Sequence, residues 1–254
     1  MSTGVQTAVG RFVWHDHNST DVDQAKAFYS DLLGWETEVW KPGEMDYPMI
    51  MAHGQMHGGF GSAQGGAPSH WLAHVVVEDV DTAVARAAGA GGKTLAGPMD
   101  IPDVGRMAVL ADPQGAVFSV YSPAGEAPPS EGAFLWDELL TTDVDAAKRF
   151  YAEVVGWTTA EMDMGEMGVY TLFRRGGDVD SAGCMTLPEK AREMGAPPHW
   201  LAYLATDDVD AAVAKAGTLG GTTLVNPMDV PNVGRFAVLQ DPTGAVFGLF
   251  KPAE

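Results

Sequence analysis

The chain repeats itself. Residues 14–35, WHDHNSTDVDQAKAFYSDLLGW, recur as residues 136–157, WDELLTTDVDAAKRFYAEVVGW, at an offset of 122. Segments 70–84, HWLAHVVVEDVDTAV, and 98–118, PMDIPDVGRMAVLADPQGAVF, recur at 199–213 and 227–247 at an offset of 129. The offset grows because the second copy carries a longer connection, from about Asp178 to Pro198. A repeat this long is a duplicated domain, since solenoid units are shorter. The expected organisation is a first domain over 8–122, a linker over 123–132 rich in Pro, Gly and small residues, and a second domain over 133–253.

Each copy has a finer rhythm. Residues 11–18 read as a strand, and Asp21, with Gln24 three residues on, caps a helix whose stripe is Val22, Ala25, Tyr29, Leu32 and Leu33. Segments 36–40, 47–53 and 57–62 follow as short strands between Gly/Pro turns. The order then restarts: a strand over 70–77, a helix carrying Val80, Ala83, Val84 and Ala87, and strands over 93–96, 106–111 and 116–121. The pattern is βαβββ, four times per chain. One helix per unit covers one sheet face and leaves the other to curve around a cleft, an α+β architecture.

Composition narrows the partners. Lys+Arg 15 against Asp+Glu 34 gives a net charge of −19, which repels phosphate backbones and anionic lipid. Neither nucleic acid nor membrane is an expected partner. Cys184 is the single cysteine, so intrachain disulfides and zinc sites of the CxxC type are excluded. The opening residues lack a signal-peptide pattern, no apolar run reaches the ~18 residues of a membrane span, and a cytoplasmic location is expected.

The helix ending AxxFYxxxxGW, the second-module opening HWLAxxxxxDVDxAV and the closing DPxGAVF resemble the vicinal oxygen chelate superfamily, across about residues 10–252. That group includes glyoxalase I, extradiol dioxygenases, fosfomycin-resistance enzymes and bleomycin-binding proteins. The resemblance implies a tandem repeat of glyoxalase-like domains, each of two βαβββ modules whose curved mixed sheets enclose a cleft. It also implies a divalent ion, held in metal-dependent members by four residues on the first and last strands of the modules. Counted from the helix caps and the DPxG turns, three of those four positions in each half fall on Trp14 and Trp136, Leu72 and Leu201, and Ser119 and Gly248. None of these is a useful divalent-metal ligand, and the expected cofactor is none.

Alternation places other groups on the cleft face: Asp16 and Glu138 beside Trp14 and Trp136, His70 and His74 matching His199 and Tyr203, and Tyr121 matching Phe250. Arg106 and Arg235 recur in the GR dipeptides, and the PMDxPxVGR segments, 98–106 and 227–235, are read as loops shaping the cleft mouth. Asp16 and His74 form a candidate acid–base pair. Six of seven histidines lie in the first domain. An alternative transition-metal site there would use Asp16, His57 and His74, whereas His15 and His17 point away from Asp16 and are expected at the surface. Met45, Met49, Met51 and Met56 crowd the first domain's hairpin. Trp14 and Trp136 are expected to wall the cleft, and Trp35, Trp71, Trp157 and Trp200 to fill the core. The run 57–66, HGGFGSAQGG, lacks a phosphate-loop context and reads as a flexible connection.

Three readings compete: a metal-free binder of a small, largely apolar metabolite or drug, a glyoxalase-like enzyme, and a scaffold whose clefts its own side chains fill. The first is favoured. The lopsided histidines place any activity mainly in the first domain. With all four modules on one chain, a monomer is complete in itself, and a homodimer is equally compatible with the sequence.

Overall fold

The computed structural model describes residues 8–41, 46–128, 132–165 and 168–253; Met45 and linker positions 129–131 lie outside them. The first half runs β1 (Phe12–Ser19), α1 (Val22–Leu33), β2 (Glu36–Trp40), β3 (Tyr47–Ala52), β4 (Gln55–Ser62), β5 (His70–Val76), α2 (Val80–Gly89), β6 (Lys93–Ile101), β7 (Gly105–Ala111) and β8 (Val117–Pro123). The second runs β9 (Phe134–Thr141), α3 (Val144–Val154), β10 (Thr158–Asp163), β11 (Val169–Arg175), β12 (Val179–Thr186), α4 (Glu189–Glu193), β13 (His199–Ala205), α5 (Val209–Thr218), β14 (Thr222–Val230), β15 (Gly234–Gln240) and β16 (Val246–Pro252). Apart from α4, which sits in the longer connection, this is βαβββ four times.

The DVD motif explains why the four long helices begin where they do. Asp21, Asp79, Asp143 and Asp208 are extended N-caps whose carboxylates accept from the backbone N–H groups of Gln24, Thr82, Ala146 and Ala211. Each such cap is worth about 1 kcal/mol. Gly34 ends α1 at φ 72°, a left-handed conformation that favours glycine.

Each half forms a curved, mixed eight-stranded sheet, ordered β2-β3-β4-β1-β5-β8-β7-β6 and β10-β11-β12-β9-β13-β16-β15-β14. The β1–β4, β5–β8, β9–β12 and β13–β16 pairs are parallel. Both orders are open, so neither sheet closes into a barrel.

Packing divides the chain in another way. One compact unit consists of the segment up to Val13, Ala73–Ala127 and Trp136–Trp200; the other consists of Trp14–Leu72, Pro128–Leu135 and the segment from Leu201 onward. Each unit therefore takes a module from each half. In the second unit Ala25, Phe28 and Tyr29 of α1 pack with Val209, Ala216, Leu239 and Phe247. In the first, Val80, Ala87 and Phe118 pack with Phe150, Tyr151 and Trp157.

The family motifs meet inside these cores. The Trp71 Nε1–H donates to Tyr29 Oη at 3.1 Å, and the Tyr29 hydroxyl donates to Asp241 Oδ2 at 3.0 Å. In the other unit Trp200 donates to Tyr151 at 2.9 Å, and Tyr151 to Asp112 at 3.2 Å. The HW, FY and DPxG residues thus hold the fold together. Trp35, Trp71, Trp157 and Trp200 are all buried, as expected.

Three local expectations need correcting. His15 and His17 are buried, not at the surface: His15 stacks on Phe134 with ring centroids 3.9 Å apart, and His17 Nε2 lies 2.7 Å from Asp241 Oδ2. Their alternation with Asp16 holds, but their face is the packed one. Gly58, Gly59 and Gly61 lie within β4 and are not a flexible connection, because strand neighbours leave no room for a side chain at Gly58 and Gly59. The 98–106 and 227–235 segments are largely strand, with β6 paired to β7 and β14 to β15.

Candidate functional site

Along β1, core-facing His15 and His17 alternate with half-buried Trp14 and Asp16. That leaves an indole and a carboxylate on the face away from the helix. The third strand of the module adds a residue the motifs do not mark. The Trp14 Nε1–H donates to Tyr47 Oη at 2.9 Å and to Asp16 Oδ1 at 3.0 Å, and the Tyr47 hydroxyl donates to Asp16 Oδ1. Gly59 pairs in register with Asp16, and a Cβ there would run into the Tyr47 ring. The glycine lets the ring cross β4. Burial, then the Asp16 charge, holds the Tyr47 phenol well above its ordinary pKa, so it stays a donor.

The second half repeats this arrangement. The Trp136 Nε1–H donates to Tyr170 Oη at 2.9 Å, and the Tyr170 hydroxyl bonds to Glu138. Gly183 is in register with Glu138, and its missing side chain again leaves space for the tyrosine. Burial first, then the Glu138 charge, raises the Tyr170 pKa. Glu138 is buried.

The other expected residues are more committed to their own chain. His74 is buried and in register with Ser119, whose hydroxyl donates to the Ala108 carbonyl at 3.2 Å. The Tyr121 hydroxyl donates to the Val104 carbonyl at 2.9 Å. Tyr203 is in register with Gly248 and lays its ring where a Cβ on Gly248 would sit, tilted edge-on to Phe236 and Phe250. A Gly248→Ala change should therefore destabilise by about 1–3 kcal/mol, the usual cost of overpacking, read as a lower urea midpoint.

The Nδ1–H groups of His70 and His199 donate to the carbonyls of Pro68 and Pro197 at 2.8 and 2.7 Å. His57 donates through Nε2 to the Ala52 carbonyl at 3.3 Å, and burial lowers its pKa. Arg106 binds Asp81 and Asp100, and Arg235 binds Asp210 and Asp229, as partly exposed ion pairs. Asp16 and His74 fall in different compact units. Among the described residues, no three His, Cys, Asp or Glu side chains are grouped to hold a metal ion, and this includes Asp16, His57 and His74. His57 is turned to its own hairpin carbonyl, and Asp16 is held by an indole and a phenol.

Two open, curved eight-stranded sheets, each of paired βαβββ modules, define a ligand-cleft fold in tandem. The chain belongs to the glyoxalase/bleomycin resistance protein/dioxygenase superfamily: that family model matches residues 134–249, and a glyoxalase-like domain model matches residues 13–121. CFP32 of Mycobacterium tuberculosis, which bears a provisional glyoxylase name, is 37% identical over 250 residues, 94% of each chain. The anthracycline biosynthesis protein DnrV of Streptomyces peucetius is 34% identical over 97% of this chain and 95% of its own. Among solved structures, the Mn(II)-bound glyoxalase from Novosphingobium aromaticivorans aligns at a TM-score of 0.66 and 17% identity, over 96% of this chain and 82% of that one.

The fold family implies a divalent metal, and the residues at the three implied positions placed in each half do not fit one. Trp14 and Trp136 present indole N–H donors already bonded within the chain. Leu72 and Leu201 offer no donor atom. The Ser119 hydroxyl is spent on a backbone carbonyl, and Gly248 lies under the Tyr203 ring.

Proposed function

We propose that this protein binds a small, largely apolar, planar metabolite or drug in the cleft of its fold without a metal ion. The observation that carries this reading is the replacement of the family's ligand positions, in both halves, by indole, leucine and a small residue. Half-buried aromatic walls with a few fixed polar groups suit a planar ligand. The relative named for anthracycline biosynthesis supports the same class, since anthracyclines are fused planar ring systems. His15, His17, His57 and His70 each have a partner within the chain.

The test is metal analysis of the purified protein, together with titration by 1,4-dihydroxyanthraquinone before and after treatment with a strong chelator. The expected result is no stoichiometric transition metal and unchanged affinity after chelation. Stoichiometric metal, with binding lost on its removal, overturns the reading. An acid–base enzyme using Asp16 and His74 is the competing proposal, and it predicts that Asp16→Asn abolishes turnover while ligand binding survives.

A further inference from the structure

We propose that Trp14/Asp16/Tyr47 and Trp136/Glu138/Tyr170 are two separate contact sites for planar aromatic ligands, so that one chain takes up two ligand molecules. The proposal rests on the ligand-cleft reading and adds the site, its count and its charge preference.

The two clusters are built alike, each from a first-strand tryptophan and carboxylate inside the quoted repeat and a third-strand tyrosine outside it. In each, an indole N–H donates to a tyrosine oxygen at 2.9 Å, the tyrosine hydroxyl bonds to a carboxylate two residues beyond the tryptophan, and a glycine in register with that carboxylate clears the way. The polar atoms engage one another, and both aromatic rings are left half-buried.

That arrangement has a chemical consequence. A tyrosine held by its hydroxyl and an indole held by its N–H have little rotamer freedom left to lose, so a flat ligand stacking on them avoids much of the usual ordering cost. In the first half, Trp40 stands edge-on to Tyr47, with ring centroids 6.3 Å apart, and widens the aromatic wall. The carboxylate behind the rings, within a chain of net charge −19, disfavours anionic ligands. Each site should therefore prefer a neutral planar aromatic over its sulfonated form.

The probe is 1,4-dihydroxyanthraquinone, with anthraquinone-2-sulfonate as the charged comparison. Stoichiometry is counted by native mass spectrometry and affinity by quenching of tryptophan fluorescence. Two equivalents are expected on the wild-type chain, with at least tenfold weaker binding of the sulfonate. Tyr47→Phe and Tyr170→Phe should each weaken one equivalent at least tenfold and leave the other as in the wild type. The double variant should lose tight binding of both. Trp14→Phe and Trp136→Phe serve as a second pair, since phenylalanine keeps the site filled while removing the indole.

A wild-type chain that takes a single equivalent overturns the two-site inference and leaves the cleft reading standing. So do two equivalents indifferent to all four changes. Absence of any binding by folded protein removes the cleft reading itself.

Discussion

Replacing Asp241 with alanine is expected to destabilise the protein by about 3–5 kcal/mol, the range for removing one partner of a buried charged pair, and to lower its urea midpoint accordingly. Asp241 is the turn aspartate of the second DPxG. One carboxylate oxygen accepts from the backbone N–H groups of Thr243, Gly244 and Ala245 and from the Thr243 hydroxyl, at 2.8–3.1 Å. The other receives Tyr29 at 3.0 Å and His17 at 2.7 Å. Alanine leaves these buried groups without their acceptor, and that desolvation is the larger part of the cost.

The same position in the first half behaves differently with pH. Asp112 has the matching turn bonds and Tyr151, but the counterpart of His17 is Leu139. Burial raises the Asp112 pKa over the opposing hydrogen bonds. Burial pushes Asp241 the same way, but the hydrogen bond and charge of His17, with Thr243 and Ala245, outweigh it and leave the pKa lowered. A lowered carboxylate stabilises the fold above its unfolded pKa, and that stability is lost as pH falls through the folded value. Asp112 runs oppositely, its contribution falling as pH rises through its raised pKa. His17→Leu should make Asp241 follow Asp112. The stability gap between wild type and this variant should be widest at neutral pH and shrink in acid. Its size should stay below that of Asp241→Ala, because leucine also removes Nδ1 of His17, which has no hydrogen-bond partner among the described residues. A gap independent of pH would contradict the assignment.

Much of this fold was legible because local chemistry and periodicity agreed. Asp21 caps its helix as read, with Asp79, Asp143 and Asp208 doing the same for the matching helices, and Trp71 fills the core. His15 and His17 misled because polarity suggested solvent. Their partners, Phe134 and Asp241, lie more than a hundred residues away in the sequence, and no local pattern carries that information. Tyr47 and Tyr170 were missed for a related reason. They stand 33 and 34 residues from their tryptophans, beyond the motif that opens each half. A signal was present: a tyrosine on the third strand and a glycine on the fourth recur in both copies, where strand register makes them neighbours. The PMDxPxVGR segments read as loops because Gly and Pro mark turns, whereas here strands run in as far as Ile101 and Val230 and resume at Gly105 and Gly234, so that only residues 102–104 and 231–233 turn.

Separating the chain at the linker should be more damaging than any substitution. The family-matched halves, 13–121 and 134–249, are each expected to fail to fold as monomers, because each compact unit takes a module from each. Phe28 and Tyr29 of α1 pack on Leu239 and Phe247, and burying side chains of this size is worth about 1.5–3 kcal/mol each. Exposing even these four side chains approaches the whole stability of an ordinary domain, about 5–15 kcal/mol. Mixing the separate halves should restore a cooperative unfolding transition and the near-ultraviolet signal of the buried tryptophans. A first half kept alone has one remaining route: Tyr29 of one copy can find the Asp112 turn of a second copy, since that turn carries the same backbone bonds as the Asp241 turn. It should therefore run as a dimer or an unfolded chain in size-exclusion chromatography. A monomeric half with cooperative unfolding would show that the motif network across the halves is dispensable.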